Sequence, residues 1–311
     1  MKKMTVVLMG LALFGCSSYE PLGPKSEALL LAEQTSLMEP RTVLWQTTKS
    51  PLKDFSVEDI REIEKAFADR SPGDISLIIG TLSILTGNLT GVIDIAGGAA
   101  GNIATANHPA AYSHWLVAMP IDQAENGLEA KNLAQETIQR HAIELLEEYG
   151  VDLEKVVVKQ ERKASLTGAK LHPETEYRIK GTDISYGFYE REFYAHNDKY
   201  GLVEGRTSLI SAEEQYVTSH DTQLSGLDGF NHPYLIENKI APFDSADGFD
   251  TYLKELTARL PKGYMYYQSP KYSRTLIPAI YANGNKYQFL KPEAAAFIEA
   301  KKSQALATAS Q

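Results

Sequence analysis

Hydrophobic positions fall into distinct regimes along this chain. Ile60, Ile63, Ala66 and Phe67 recur at three- and four-residue steps behind Ser56-Val57-Glu58-Asp59, so a helix is expected there. Ser56 can accept from the third backbone N–H, and the acids suit the positive end of the helix dipole. Ser71-Pro72-Gly73 stops it. A stronger helical stripe runs through Ala134, Ile138, Ala142, Leu145 and Tyr149, is widened by Ile143 and Leu146, and ends at Gly150. Asp122 and Glu125 resemble a capping box in front of it. The apolar run His114–Met119 before Pro120 reads as a buried strand, and Lys155–Lys159, with three consecutive valines, as another. Strand, helix and strand together predict one right-handed crossover unit.

Beyond Leu171 the chain turns aromatic. Fourteen of the 17 tyrosines and seven of the 10 phenylalanines lie there, which favours β structure. Strands are expected at Tyr177–Thr182, Tyr186–Ala195, Gln215–Ser219 and Tyr264–Gln268. Leu276–Ala282 should pair with Lys286–Leu290 through Asn283-Gly284, the strongest short hairpin signal. Asp247–Leu260 carries Phe249, Leu253, Leu256 and Leu260 on one side, as a helix ending at Pro261 would. The pattern predicts an α+β fold: an antiparallel sheet with helices packed on one face, preceded by a glycine-rich apolar helical segment.

That preceding segment is distinctive. Ile75–Ile93 is a run of 19 uncharged residues, and Asp94 is the only charge from Ile75 to Ala106. Gly87 and Gly91, and again Gly97 and Gly101, stand four apart and so share a helix face, where another helix can approach to backbone contact. A membrane-inserting hairpin that assembles into an oligomer is one reading. A buried or surface-lying pair of helices is the favoured one. Interior glycines cost about 1 kcal/mol each, and an aspartate at the bilayer centre costs at least ~2.5 kcal/mol.

At the N-terminus Lys2 and Lys3 precede the apolar run Val6–Phe14, and Leu13-Phe14-Gly15-Cys16 follows the layout of a secretory cleavage site. This segment resembles the lipobox of bacterial lipoprotein precursors, with Phe14 standing where a smaller residue is usual. The resemblance implies that Cys16 becomes the mature N-terminus, carrying a thioether-linked diacylglycerol and an amide-linked acyl chain. Each buried methylene contributes about 0.8 kcal/mol, and stable anchoring takes two chains or more. Ser17 and Ser18 stand where inner-membrane lipoproteins commonly carry aspartate, which implies an outer-membrane anchor facing the periplasm. The expected organisation is a signal peptide at 1–15, a tether at 16–50 with one short helix at Ser26–Gln34, and a helical region at 51–108. An α+β periplasmic domain at 109–292 and a C-terminal tail at 293–311 follow.

Charge narrows the partners. The net charge is −9, and removal of residues 1–15 takes away two lysines and no acid, giving −11. Such a chain does not suit a phosphate backbone, which calls for clustered Lys and Arg, so no nucleic-acid partner is expected. Cys16 is the only cysteine, so no disulfide can staple the body, and burial must hold the fold.

Familiar catalytic patterns do not occur: there is no HExxH, glycine-rich phosphate loop or G-x-S-x-G elbow. Ser50-Pro51-Leu52-Lys53 matches S-x-x-K without its companion motifs. Ser219-His220-Asp221 holds triad residue types, but successive strand side chains face opposite ways. His108, His172 and His232 each precede proline, and nothing supplies a third metal ligand. Asp244, Asp247 and Asp250 miss the calcium-loop spacing and are expected to cap the helix near Asp247. No metal or cofactor is expected. Tyr264, Tyr266, Tyr267 and Tyr272 form a possible stacking platform for a sugar chain or peptide, weighed against the simpler reading that they fill the two faces of a sheet. The expectation is a lipid-anchored envelope protein with a non-enzymatic interaction or structural role. It is attached to the membrane by its acyl chains and meets another envelope protein or peptidoglycan. The alternatives are a glycine-zipper oligomer and a hydrolase of envelope glycans or lipids.

Overall fold

The computed structural model describes residues 23–38, 41–43, 46–48, 52–62, 110, 113–157, 170–171, 175–181, 185–186, 190–191, 203–207, 214–220, 248–269 and 277–309. In chain order the elements are α1 (Glu27–Glu33), β1 (Arg41–Val43), β2 (Gln46–Thr48), β3 (His114–Pro120), α2 (Gly127–Glu148), β4 (Leu153–Val157), β5 (Lys170–Leu171) and β6 (Thr175–Ile179). There follow β7 (Ser185–Tyr186), β8 (Glu190–Arg191), β9 (Val203–Thr207), β10 (Glu214–His220), α3 (Gly248–Arg259), β11 (Tyr264–Gln268), β12 (Ala279–Ala282), β13 (Asn285–Gln288) and α4 (Pro292–Ala309). Residues 57–62 are also helical.

Six antiparallel strands make the main sheet in the order β13-β12-β11-β3-β10-β9. The expected α+β class, with an antiparallel sheet and helices packed against it, is what the chain adopts. The helices cover both faces rather than one. An antiparallel sheet with one wet face alternates apolar and polar residues, whereas β11 and β12 are buried at every position and β3 at all but its last. One face carries Trp115, Val117, Met119, Tyr264, Tyr266 and Tyr281 against Ala134, Ile138, Ala142 and Leu145 of α2 and Phe249, Leu253 and Leu256 of α3. The other carries Leu116, Met265, Tyr267 and Ile280 against Ala28 and Ala32 of α1, Phe55, Ile60, and Ala294 and Ile298 of α4.

This second layer corrects two boundaries. The expected tether 16–50 contains α1, which is core: Ala28 and Ala32 are fully buried. Asp54 holds its N-cap, accepting from the Ser26 backbone N–H at 2.7 Å and from the Ser26 hydroxyl, while Ser26 Oγ accepts from Leu29 N–H at 3.1 Å. The expected tail 293–311 contains most of α4, pinned where Lys291 N–H reaches the Phe55 carbonyl at 2.9 Å. Alanine-rich helices with narrow apolar stripes look solvated in sequence, yet they fit closely against a flat sheet face.

Local signals held where the chemistry was local. Ser56 caps residues 57–62: its hydroxyl accepts from Asp59 N–H at 3.2 Å and Asp59 Oδ2 accepts from Ser56 N–H at 2.8 Å, a reciprocal box. Asn283 (φ 49°) and Gly284 (φ 79°) form the two-residue turn that sets the hairpin β12–β13. The cap of α2 differs from expectation. Asn126 and Glu129 make the box, Asn126 Oδ1 accepting from Glu129 N–H at 3.0 Å, and Glu129 accepting from Glu125 N–H at 2.7 Å. Asp122 instead sits in the 3-10 turn Ile121–Gln123.

The expected crossover unit does not form. β3 and β4 belong to different sheets, β4 pairing antiparallel with β6 in the order β4-β6-β7. Gly150 (φ 80°) turns the chain out of α2 into a separate sheet that still packs on the same core through Val151 and Ile179, so periodicity named the elements without naming their partners.

Candidate functional site

Three of the four tyrosines proposed as a platform are structural. Tyr264, Tyr266 and Tyr267 are all buried, the first two on one face of β11 and the third on the other. Tyr266 meets Trp115 edge-on at 5.3 Å between centroids and Phe249 at 6.4 Å, while Tyr267 meets His114 at 5.7 Å and donates to the Ala110 carbonyl at 2.6 Å. None of the three offers a ring to a ligand. Tyr272, the glycines Gly87, Gly91, Gly97 and Gly101, and Cys16 lie outside the described residues.

Of the other sequence candidates, only some lie among the described residues. Leu52 of the S-x-x-K match is buried in the core and Lys53 pairs with Asp59 at 2.9 Å. Ser219 and His220 close β10, and Asp221 lies outside the described residues, as do His108, His172, His232, Asp244 and Asp247. Among the described residues no group of three or more His, Cys, Asp or Glu is placed to hold a metal ion.

What the fold does assemble is a polar knot around Asp250, on the face covered by α2 and α3. Asp250 stands in the first turn of α3. Its carboxylate does not cap the helix as expected. It turns toward the hairpin, where it accepts from Lys286 Nζ at 2.7 Å and from the Tyr281 hydroxyl, and it pairs with Lys254 Nζ at 2.9 Å one turn along α3. Lys286 and Tyr281 arrive together because the two-residue turn sets them opposite each other across β12 and β13. Lys286 also lies over the Tyr281 ring, 5.5 Å from its centroid. Gln268, fully buried at the end of β11, has Oε1 3.2 Å from the Tyr281 hydroxyl.

A phenol carries one proton. With that proton committed to the charged Asp250, the Tyr281 oxygen is an acceptor toward Gln268, so the Gln268 amide nitrogen belongs on the tyrosine side. That orientation also relieves Gln268 Nε2, which is otherwise a buried donor with no partner. The order of donation is then Gln268 to Tyr281 to Asp250.

Electrostatics follow this geometry. Burial pushes the Asp250 carboxyl up, but the charge of Lys286 and the hydrogen bonds from Lys286, Tyr281 and Lys254 outweigh it, leaving the pKa below the ordinary value. The Tyr281 phenol is driven well above its usual value by burial and then by the Asp250 charge. Asp250 is thus held ionised and Tyr281 neutral. Two cations from different elements share this one carboxylate, so the knot fastens α3 to the hairpin.

The sequence held both halves of this knot separately: Asp250 and Lys254 four apart on a helix, and Tyr281 opposite Lys286 across an Asn-Gly turn. Nothing local joined them. A second clasp is equally non-local: Arg259 grips Glu148 with its two terminal guanidinium nitrogens at 2.7 and 2.6 Å, and the Tyr149 hydroxyl donates to Glu255 at 2.6 Å, tying α2 to α3.

No protein-family model, curated protein sequence or solved structure matches the chain. Among the described residues no helix is long and apolar enough to cross a membrane.

Proposed function

We propose that the chain is a lipid-anchored envelope protein with a non-enzymatic interaction or structural role, held at the outer membrane and facing the periplasm. The observation that carries this reading is the Lys2-Lys3 start, the apolar run Val6–Phe14 and Leu13-Phe14-Gly15-Cys16, with the only cysteine directly after the small-residue cut. The acidic body, −11 after residue 15, suits a soluble mass that repels its neighbours beside a bilayer.

Among the described residues, the three carboxylates whose pKa is shifted do not form a glycan hydrolase's acid. A hydrolase of glycans needs one carboxyl group kept protonated near neutral pH, its pKa raised by burial or by a second carboxylate. Asp59, Glu148 and Asp250 are shifted the other way, each beside a cation: Lys53, Arg259 and Lys286 respectively. The glycine-zipper alternative rests on residues 75–106, which lie outside the described residues.

The test is expression of the wild type beside Cys16→Ser in a bacterial host with labelled palmitate. The wild type should take up label, lose residues 1–15 and float with membranes, and the variant should do none of these. An unlabelled wild type with a bare N-terminal thiol by intact mass would overturn the reading. Proteins recovered with the wild type from native membranes then define the partner.

A further inference from the structure

Two Asn-Gly pairs occur in the chain, Asn126-Gly127 and Asn283-Gly284. Asparagine is a labile residue, and glycine after it leaves the next peptide nitrogen unshielded. Once that nitrogen loses its proton it attacks the asparagine Cγ: the N–Cγ bond forms, the Cγ–Nδ2 bond breaks, and ammonia leaves carrying a proton. Water then opens the five-membered imide. Opening at Cγ gives aspartate, and opening at the main-chain carbonyl gives an isoaspartyl link that runs through Cβ and Cγ. Nothing is oxidised or reduced.

Asn126 is engaged in capping α2. Its Oδ1 accepts from Glu129 N–H at 3.0 Å and its carbonyl from Ala130 N–H at 3.0 Å. Asn283 is exposed, so its reaction is governed by the peptide unit it shares with Gly284. That unit is held at both polar atoms: Gly284 N–H donates to Thr257 Oγ1 at 3.3 Å, and the Asn283 carbonyl accepts from Asn285 Nδ2 at 3.1 Å. Thr257 is buried in α3 and owns a single hydroxyl proton. The proton is directed at the Leu253 carbonyl, 2.8 Å away, with the Lys254 carbonyl at 3.2 Å. Oγ1 therefore meets Gly284 with lone pairs only. It accepts from a protonated nitrogen and repels an ionised one.

We propose that Thr257 and Asn285 guard a latent deamidation site at Asn283, whose isoaspartyl product unfastens the hairpin from α3. The clamp acts twice. It keeps the proton on the attacking nitrogen, and it stops the peptide plane from rotating toward Cγ. The consequence follows from register. Asn283 (φ 49°) and Gly284 (φ 79°) join Ala282 to Asn285 in two residues, and this sets Lys286 opposite Tyr281. An isoaspartyl link adds a carbon to that turn, which carries Lys286 out of place and away from Asp250, its partner at 2.7 Å.

The test is peptide mapping by mass spectrometry of the full chain, kept folded in mildly alkaline buffer, with aspartate and isoaspartate read at positions 283 and 126. Asn283 should react several-fold more slowly in the folded wild type than in the same chain unfolded in urea. Thr257→Val keeps the side-chain volume, and Asn285→Ala changes an exposed position whose loss leaves the core intact. Each should raise the rate at Asn283 roughly fivefold, the factor to which one hydrogen bond of about 1 kcal/mol converts, with Asn126 unchanged. Thr257→Ser, which restores the hydroxyl, should return the wild-type rate. An unmoved rate at Asn283 in folded Thr257→Val or in Asn285→Ala overturns the clamp, as does equal reaction of folded and unfolded wild type. A matching rise at Asn126 overturns it too, because that marks general opening of the fold. The isolated isoaspartyl form should melt below the unmodified chain, and an equal midpoint would overturn the loosening of the hairpin.

Discussion

Ser26 and Asp54, 28 residues apart, close the first helix of the chain onto its core: the Asp54 carboxylate accepts from the Ser26 N–H at 2.7 Å and from its hydroxyl. The hydroxyl in turn accepts from Leu29 N–H, so one carboxylate fixes the cap that starts α1.

Asp54→Ala should release that helix. Losing two hydrogen bonds to a charged group and disordering a cap costs about 2 kcal/mol. Urea unfolding should show the drop in midpoint, and amide exchange should quicken at Leu29 and Leu30 before it does in β11. Unchanged exchange across α1 would mean that packing of Ala28 and Ala32 alone holds it.

Asp250→Asn strikes the knot on the other face. Lys286 is largely buried there, and removing its partner charge leaves a cation unmatched, at a cost of about 2–4 kcal/mol at neutral pH. The pH dependence has a definite sign. Because the folded pKa of Asp250 lies below the ordinary 3.8, its contribution is complete above that value and is lost as pH falls through the folded pKa. Asp59, lowered despite partial burial by hydrogen bonds from Ser56 and Lys53, adds loss in the same window. Stability measured by urea from neutral pH downward should hold until about pH 4 and then fall, more shallowly in Asp250→Asn. Equal slopes in variant and wild type would remove Asp250 from the account.

Gly263 is placed so that no side chain fits. It adopts φ +96°, a conformation other residues rarely take, and an added Cβ would sit 2.2 Å from the Ala118 carbonyl oxygen. Its own carbonyl accepts from Ala118 N–H at 2.9 Å, so neither backbone can retreat without breaking the β3–β11 pairing. Gly263→Ala should cost at least ~2 kcal/mol, read as a lowered thermal midpoint. An unaltered midpoint would mean the turn relaxes freely.

Tyr266→Ala separates a core role from a binding role. Tyr266 touches Trp115, Phe249 and Tyr281 and is nearly inaccessible, so truncation should destabilise by about 3–5 kcal/mol. A platform tyrosine would lose ligand affinity with stability intact. A stable variant, by calorimetry, would return Tyr266 to the surface.

Much of the fold was legible because its signals are short. The Asn283-Gly284 turn fixed a hairpin register, Ser56 fixed a helix start, and the stripe from Ala134 to Tyr149 fixed a helix face. The caps that misled were those with competing polar residues nearby: Asp122 and Glu125 offered one box, while Asn126 and Glu129 formed it. The Asp250 knot was out of reach, since its members come from α3, β11, β12 and β13 and are polar residues of ordinary kind.

From its sequence alone this protein drew its class, most of its described elements and its acidity, all properties of composition or of residues a few positions apart. Tertiary structure decided that the sheet is covered on both faces, that α1 and α4 are core, and that β3 and β4 part company. Those outcomes depend on which surfaces meet across long stretches of chain. Burial rewards any well-fitting apolar pair, whatever its separation, so the choice of partner is written in shape and not in periodicity.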